Sequence, residues 1–412
     1  MGILDRLVPP RLGREFRKLL GAFYIGQLGD GIALAAGPLL VASQTDSAVL
    51  VALAAALQRV PWLLFGLHAG AIADRLDRMR VVVAANTVRI GVLAVLVGSI
   101  ATGLVNVWLV LGTMFALGVA EVFADSAHAT LLPMLVEKPD LGAANARTMG
   151  GFLVINQLAG APVGALLYGL GAAVPFGAQA LTLALAVVLV RRVCLPPMPA
   201  RGTDTHVLQD VREGLAWLWR NPAVRTLALT ILLFNVTWGA AWGVLVLYAT
   251  DLLGMSEVGF GLMTTMTAIG GIISTLSYDR IERRFSLAAV MKTCLVSETL
   301  MHLVLAVNRS QVVALVVMFL FGAYAFVWGT LSNAVRQRVT PTEFQGRVGS
   351  VYRVGLFGGL VVGQLLGGAI ADVSGLAAPY WFAFAGSALV LALLWRQLPL
   401  VVHADEEALA GS

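Results

Sequence analysis

The chain has 412 residues, 58% of them hydrophobic and 12% charged, at a mean hydropathy of +0.85. A water-soluble domain carries about 25% charged residues, so the composition excludes an ordinary soluble enzyme or binding domain. The net charge of +5 and pI near 9.5 fit basic loops at a membrane surface better than a nucleic-acid partner.

The chain opens with a basic amphipathic stretch, Leu4, Leu7, Leu12 and Phe16 among Arg6, Arg11, Arg14, Arg17 and Lys18. It is expected to run straight into a full apolar span, with no cleavable signal peptide. Apolar runs broken by charged or turn residues then predict twelve spans, at 17–43, 48–72, 80–102, 106–132, 147–171, 175–194, 223–249, 257–277, 286–307, 311–334, 349–372 and 377–396. Each is close to the ~20 residues a spanning helix needs. Unpaired backbone groups are too costly in hydrocarbon, and the runs do not alternate as barrel strands do, so the spans must be helices.

Lys and Arg set the orientation. Of the 28, Arg59, Arg89 and Lys292 fall deep inside spans and Arg309 in an odd-numbered loop, while others such as Arg17, Arg191 and Arg353 sit within a few residues of span ends. All others lie on the side of the termini and even-numbered loops, which predicts cytoplasmic termini and an even number of spans.

Between spans 6 and 7 the chain breaks at Pro196, Pro197 and Pro199 and continues as VLQDVREGLAWLWRNP. Leu208, Val211, Leu215 and Leu218 recur at helical spacing opposite Gln209, Asp210, Arg212 and Glu213, the pattern of an interfacial amphipathic helix. This divides the chain into a first bundle (1–194), a linker (195–222), a second bundle (223–398) and a cytoplasmic tail (399–412). The bundles repeat: DRLDR (74–78) falls on DRIER (279–283), and GAAVPF (171–176) on GLAAPY (375–380), at nearly one offset. A duplicated six-helix unit about an axis along the membrane normal is a transporter pattern.

Charged residues inside spans are expensive and usually functional. Asp30 lies mid-span 1 and Arg59 mid-span 2, at matching depth; Glu121 and Asp125 lie one turn apart on span 4, with Arg89 on span 3 at comparable depth. Two readings follow. Asp30 or Glu121 exchanges a proton, its state set by whether an arginine is near; or the acids form structural pairs, Asp30–Arg59 and Asp125 with Arg89 or Arg78. Glu298 and Lys292 on span 9 rank lower. Cys194 and Cys294 are far apart, and the five histidines show no ligand spacing, so no metal and no cofactor is expected. Neither G-x-S-x-G nor G-x-x-x-x-G-K-[ST] occurs, which disfavours a membrane-embedded hydrolase and an ATP-driven pump.

GAIADRLDRMR (70–80) resembles the loop 2–3 signature of the major facilitator superfamily through Gly70, Asp74, Arg75 and Arg78. DVREGLAWLWRNPAVRTL (210–227), Gly29-Asp30, LLP…AN (131–145) and QGRVGSVY (345–352) resemble its enterobactin-exporter and macrolide-efflux branch. The resemblance implies an all-α major facilitator fold and a bacterial cytoplasmic-membrane protein working as a monomer. The function implied is proton-driven export of a drug, siderophore or other lipophilic small molecule; an importer or lipid flippase of the same fold is the alternative. Its partners would be substrate, protons and lipids. The resemblance also implies a conformational latch of Gly70, Asp74, Arg75, Arg78 and Asp125 reaching the start of span 11, with a counterpart at Asp279, Arg280 and Arg283. It places spans 1, 4, 7 and 10 around the cavity, giving Asn235, Trp238, Trp242, Tyr324, Trp328 and Asn333 as a substrate wall. Gly160, Pro162 and Gly164 of span 5 and Gly359, Gly363 and Gly367 of span 11 are expected to allow close, bendable packing at a gate. Span 5 lacks the Gly-Pro pair common in proton antiporters, and span 4 carries Glu121 and Asp125 in place of an arginine.

Overall fold

A computed structural model describes residues 10–137, 140–195, 207–341 and 344–410, with side chains except at 10, 67, 70–75, 133, 207–211 and 408–410. Helix is the regular secondary structure of the described residues, joined by short turns. We number the long helices α1 (Arg14–Ala42), α2 (Ala48–Arg75), α3 (Arg78–Ala101), α4 (Val107–Leu135), α5 (Leu141–Leu170) and α6 (Val174–Val190), then α7 (Val207–Arg220). There follow α8 (Pro222–Gly243), α9 (Glu257–Arg284), α10 (Leu287–Val307), α11 (Gln311–Val339), α12 (Gln345–Ser374), α13 (Ala378–Leu394) and α14 (Leu398–Ala410). Predicted spans 1–6 correspond to α1–α6 and spans 7–12 to α8–α13.

Among the described residues, ten helices are long and apolar enough to cross a membrane, and an eleventh if α13 and Leu398–Glu407, bent by 53°, form one broken span. Only α6, with 17 residues, is apolar but short. Large apolar side chains such as Trp108, Leu276 and Val373 are exposed on the helix surfaces, where lipid rather than water covers them.

Several boundaries depart from the sequence reading. The charged run 74–80 was expected in a loop, yet α2 runs on through Arg75 and α3 begins at Arg78. Asp77 caps α3, accepting from the backbone N–H groups of Met79 and Arg80 at 3.0 and 3.2 Å, a contact typically worth ~1 kcal/mol. Its counterpart 279–283 likewise forms the last turns of α9. Such charged helix ends extend past the apolar stretch that hydropathy detects. Span 5 starts at 141, not 147, and contains a π-helical segment, Phe152–Gly160. Span 7 breaks at Val244 and continues as one turn, Leu245–Leu247, and a π turn, Tyr248–Leu252. The tail is a helix with Leu398 and Val401 fully buried.

The internal repeat extends to helix lengths. α2 and α9 have 28 residues each, α4 and α11 have 29, and α6 and α13 have 17. Asn106 caps α4 and Ser310 caps α11; glycines with positive φ, Gly171 and Gly375, precede α6 and α13. Positions 106 and 310, and 171 and 375, are both 204 apart.

Contacts divide the chain into two compact units. The first comprises Met1–Gln44, Leu64–Asp204 and Glu257–Thr265; the second Thr45–Leu63, Thr205–Ser256 and Met266–Ser412. In the first, α1, α3, α4 and α6 share a core around Leu19, Val82, Leu131 and Val190. In the second, Leu227, Phe234, Met291, Leu331, Val390 and Leu398 form the core. Also in the second unit, the start of α2 lies on α12: the Ala48 N–H donates to the Asp372 carboxylate at 2.8 Å and Trp62 stacks on Phe357. The helix α7 packs there too, with Leu218 buried, Trp217 stacked on Phe344 at 5.5 Å and Glu213 paired with Arg347 at 3.0 Å. Its Leu208 and Val211 side chains lie outside the described residues.

Candidate functional site

In the first unit, Asp30 stands between two glycines of α1. A Cβ on Gly29 would strike Thr182 of α6, and one on Gly31 would strike the backbone of Asn156 in α5, so both helices approach α1 at this level. The Asp30 carboxylate accepts from Arg89 of α3 and from Gln179 Nε2 of α6, the latter at 3.2 Å. Arg89, 3% exposed, also donates to Asn86 Oδ1 at 3.3 Å. The expected partner of Asp30 was Arg59; Arg89 takes that place. Equal depth in adjacent spans does not fix which helix faces point together, and the glycine contacts that do are tertiary.

Glu121 and Asp125 of α4 lie within electrostatic reach of Arg89. Asp30, Arg89, Asp125, Asn86 and His128 line a small cavity of about 50 Å³. Asp125 and His128 also line a larger one of about 620 Å³, together with Gln27, Asn145, Thr148 and Phe152. His128 stacks on Phe23 at 4.8 Å, and its buried Nε2 has no hydrogen-bond partner. Asn156, in the π segment of α5, donates to Gln27 Oε1 at 3.0 Å. Asp125 thus lines both cavities. The polar residues His128, Gln27, Asn86, Gln179 and Asn156 were not singled out from sequence, because isolated polar residues in apolar spans carry no motif.

The second unit holds a cavity of about 270 Å³ lined by Asn235, Trp238, Tyr324 and Trp328, with Phe234, Phe321 and Glu298. Trp238 lies flat on Phe321 at 3.9 Å and tilted against Trp242 at 4.7 Å. Trp242 thus meets this wall through Trp238. Asn333 is exposed and accepts from Arg336 at 2.8 Å, away from the cavity lining. Glu298 of α10, ranked low from sequence, is at its wall. The available signal was an acid and a histidine, Glu298 and His302, one turn apart on an apolar helix.

The side chains of Gly70, Asp74 and Arg75 lie outside the described residues. Arg78 donates to the Thr130 carbonyl at 3.3 Å and to Met134 Sδ at 3.0 Å, tying α3 to α4. Asp279, Arg280 and Arg283 are exposed at the end of α9. The glycines of spans 5 and 11 pack inside their own units. A Cβ on Gly160 would lie 2.7 Å from the Cα of Gly31, and one on Gly164 would strike the carbonyl of Ile32. Gly359, Gly363 and Gly367 press likewise on the backbone of α8. Pro162 and Ala165 of α5 meet Gly261 at the start of α9. Among the described residues no group of three or more His, Cys, Asp or Glu could hold a metal ion.

Residues 8–411 match the family model described as "Transmembrane secretion effector". The chain is 29% identical over 376 residues to the protein named multidrug efflux pump Tap of Mycolicibacterium fortuitum, covering 85% of this chain and 88% of that one. It is 21% identical over 382 residues to macrolide efflux protein A of Streptococcus pyogenes, covering 89% and 93%. Among solved structures, a bacterial homologue of the iron transporter ferroportin in an inward-facing state superposes with a TM-score of 0.73 at 16% identity over 98% of this chain and all of that one. The nucleoside transporter NupG does so with 0.73 at 13% identity over 94% and 99%. These likenesses show a shared fold, and the family match covers nearly the whole chain: it belongs to the transmembrane secretion effector family of major facilitator transporters.

Proposed function

We propose that this protein is a secondary exporter of lipophilic small molecules that exchanges protons for substrate, with twelve spans and both termini cytoplasmic. The observation that carries the reading is the charge set in the first unit. Arg89 pairs with Asp30 in a small cavity that Asp125 and His128 also line, and the latter two line the larger cavity as well. A second carboxyl, Asp125, beside this pair is expensive to keep ionised in a medium that penalises charge, so a proton is its natural partner. When Arg89 withdraws from Asp30, that acid has a reason to take up a proton, and it releases the proton when the guanidinium returns. The relatives named as multidrug and macrolide efflux proteins support drug-like cargo and outward direction. The aromatic cavity of the second unit suits such cargo, since apolar walls with few polar groups bind drug-sized molecules.

The test is flux in proteoliposomes with a drug panel and an imposed pH step. The unaltered protein is expected to move substrate against its gradient under the step. Asp30→Asn and Glu121→Gln separate the two carriers: the variant lacking the proton site loses pH-driven flux and keeps substrate counterflow without a gradient. If both variants keep full pH-driven flux, neither acid couples. If the unaltered protein ignores the pH step, the proton reading fails. Uphill accumulation in the opposite direction would make the protein an importer.

A further inference from the structure

Glu298 is 8% exposed, and His302, one turn along α10, is fully buried. The Tyr324 hydroxyl donates to Glu298 Oε2 at 2.7 Å. The other oxygen, Oε1, is buried without a hydrogen-bond partner and stands 3.3 Å from His302 Nε2. Among the described residues, no lysine or arginine lies within ion-pair distance of this carboxyl, whereas Asp30 has Arg89. A buried acid normally brings its countercharge with it. Here the carboxyl instead borders the cavity of about 270 Å³, whose other walls include Trp238, Phe321, Tyr324 and Trp328. Aromatic faces attract cations through the ring quadrupole, the more so where water is excluded.

We propose that Glu298 and these rings form a binding site for the charged group of a lipophilic organic monocation. The carboxylate pairs with the positive charge, the rings enclose the neighbouring carbon atoms, and His302 positions the carboxylate from behind Oε1. The part this site would play in transport rests on the export reading; the binding itself rests on the cavity alone.

The test uses the full-length protein in lipid nanodiscs and two fluorescent probes, a dansylamidoethyl-trimethylammonium ion and its neutral isostere with a tert-butyl group. Saturable energy transfer from tryptophan reports binding. The cation is expected to bind about tenfold tighter than the isostere or better, a difference typical of one desolvated charge contact. Glu298→Gln should abolish that preference while leaving the isostere within about twofold of its original affinity. Glu298→Asp should retain part of the preference, and Trp328→Ala should weaken both probes. Equal binding of the two probes to the unaltered protein overturns the proposal, and so does an undiminished preference in a Glu298→Gln variant with an unchanged melting curve. Should Glu298→Gln not fold, the unaltered protein and Glu298→Asp still decide it: no preference in the first, or in both, overturns it. Flux is scored separately. Binding without flux removes the export reading and leaves the site; flux without cation preference removes the site alone.

Discussion

Asp30 owes its partners to glycines on either side of it, which admit α5 and α6 close enough for Gln179 and Asn156 to reach α1. Removing one member of a buried pair strands the other charge, at a cost of about 3–5 kcal/mol. Arg89→Leu should therefore lower the melting temperature more than Asp30→Asn, and the double variant Asp30→Asn with Arg89→Leu should recover much of the loss. Thermal unfolding of the four proteins in one detergent checks this; a double variant less stable than Arg89→Leu alone would show that the pair does not act as a unit. The sequence pointed to Asp30 and Arg89 as costly intramembrane charges. It could not pair them, because each span end slides by several residues against hydropathy, and one residue turns a helix by about 100°.

Glycine at helix crossings is the recurring element of both units. Where α1 crosses α5, Gly31 and Gly160 leave no room for a Cβ, and Gly363 meets the α8 backbone in the same manner. Gly160→Val should cost about 1–3 kcal/mol or more through overpacking. Gly349→Ala, on α12 with nothing within 4 Å of the added carbon, should be neutral or gain up to about 1 kcal/mol from lost backbone freedom in the unfolded chain. The melting curve of Gly160→Val should move down, and that of Gly349→Ala should stay in place or move up. The helix α7 makes a parallel case, since its Gly214 rests on the Arg347 backbone. Gly214→Val should lift it from α12 and speed hydrogen exchange across 212–220, whereas swapping the half-exposed Glu213–Arg347 charges should change stability by less than about 1 kcal/mol. Unchanged exchange in Gly214→Val would mean that α7 is held elsewhere.

At the scale of the whole molecule, the proposed twelve spans and cytoplasmic termini can be tested with the protein's own thiols. Cys194 is exposed after α6 and Cys294 buried in α10. A membrane-impermeant maleimide should label Cys194 only when the cytoplasmic face is open to it. With Cys194 replaced by Ser, a Ser47→Cys variant between α1 and α2 should be labelled from the outside. Labelling of both positions from one face would overturn the topology and with it the charge-based orientation.

Composition alone determined that this chain lives in lipid, since 12% charge is too little to solvate a fold of this size in water. Length and hydropathy then set the number of apolar runs, and the 204-residue step in glycines and capping residues carried the duplication into helix lengths. These are one-dimensional properties, dictated by the solvent and legible in order along the chain. Which face of each helix meets which neighbour is three-dimensional. It depends on a few small residues at crossings, on the π segment in α5 and the break at Val244, and on charged helix ends that outlast the apolar run. Only the tertiary structure could therefore give Asp30 to Arg89, show Asp125 on a cavity wall and set Glu298 against an aromatic pocket, because a side chain on a nearly uniformly apolar helix acquires a direction only when its neighbours are in place.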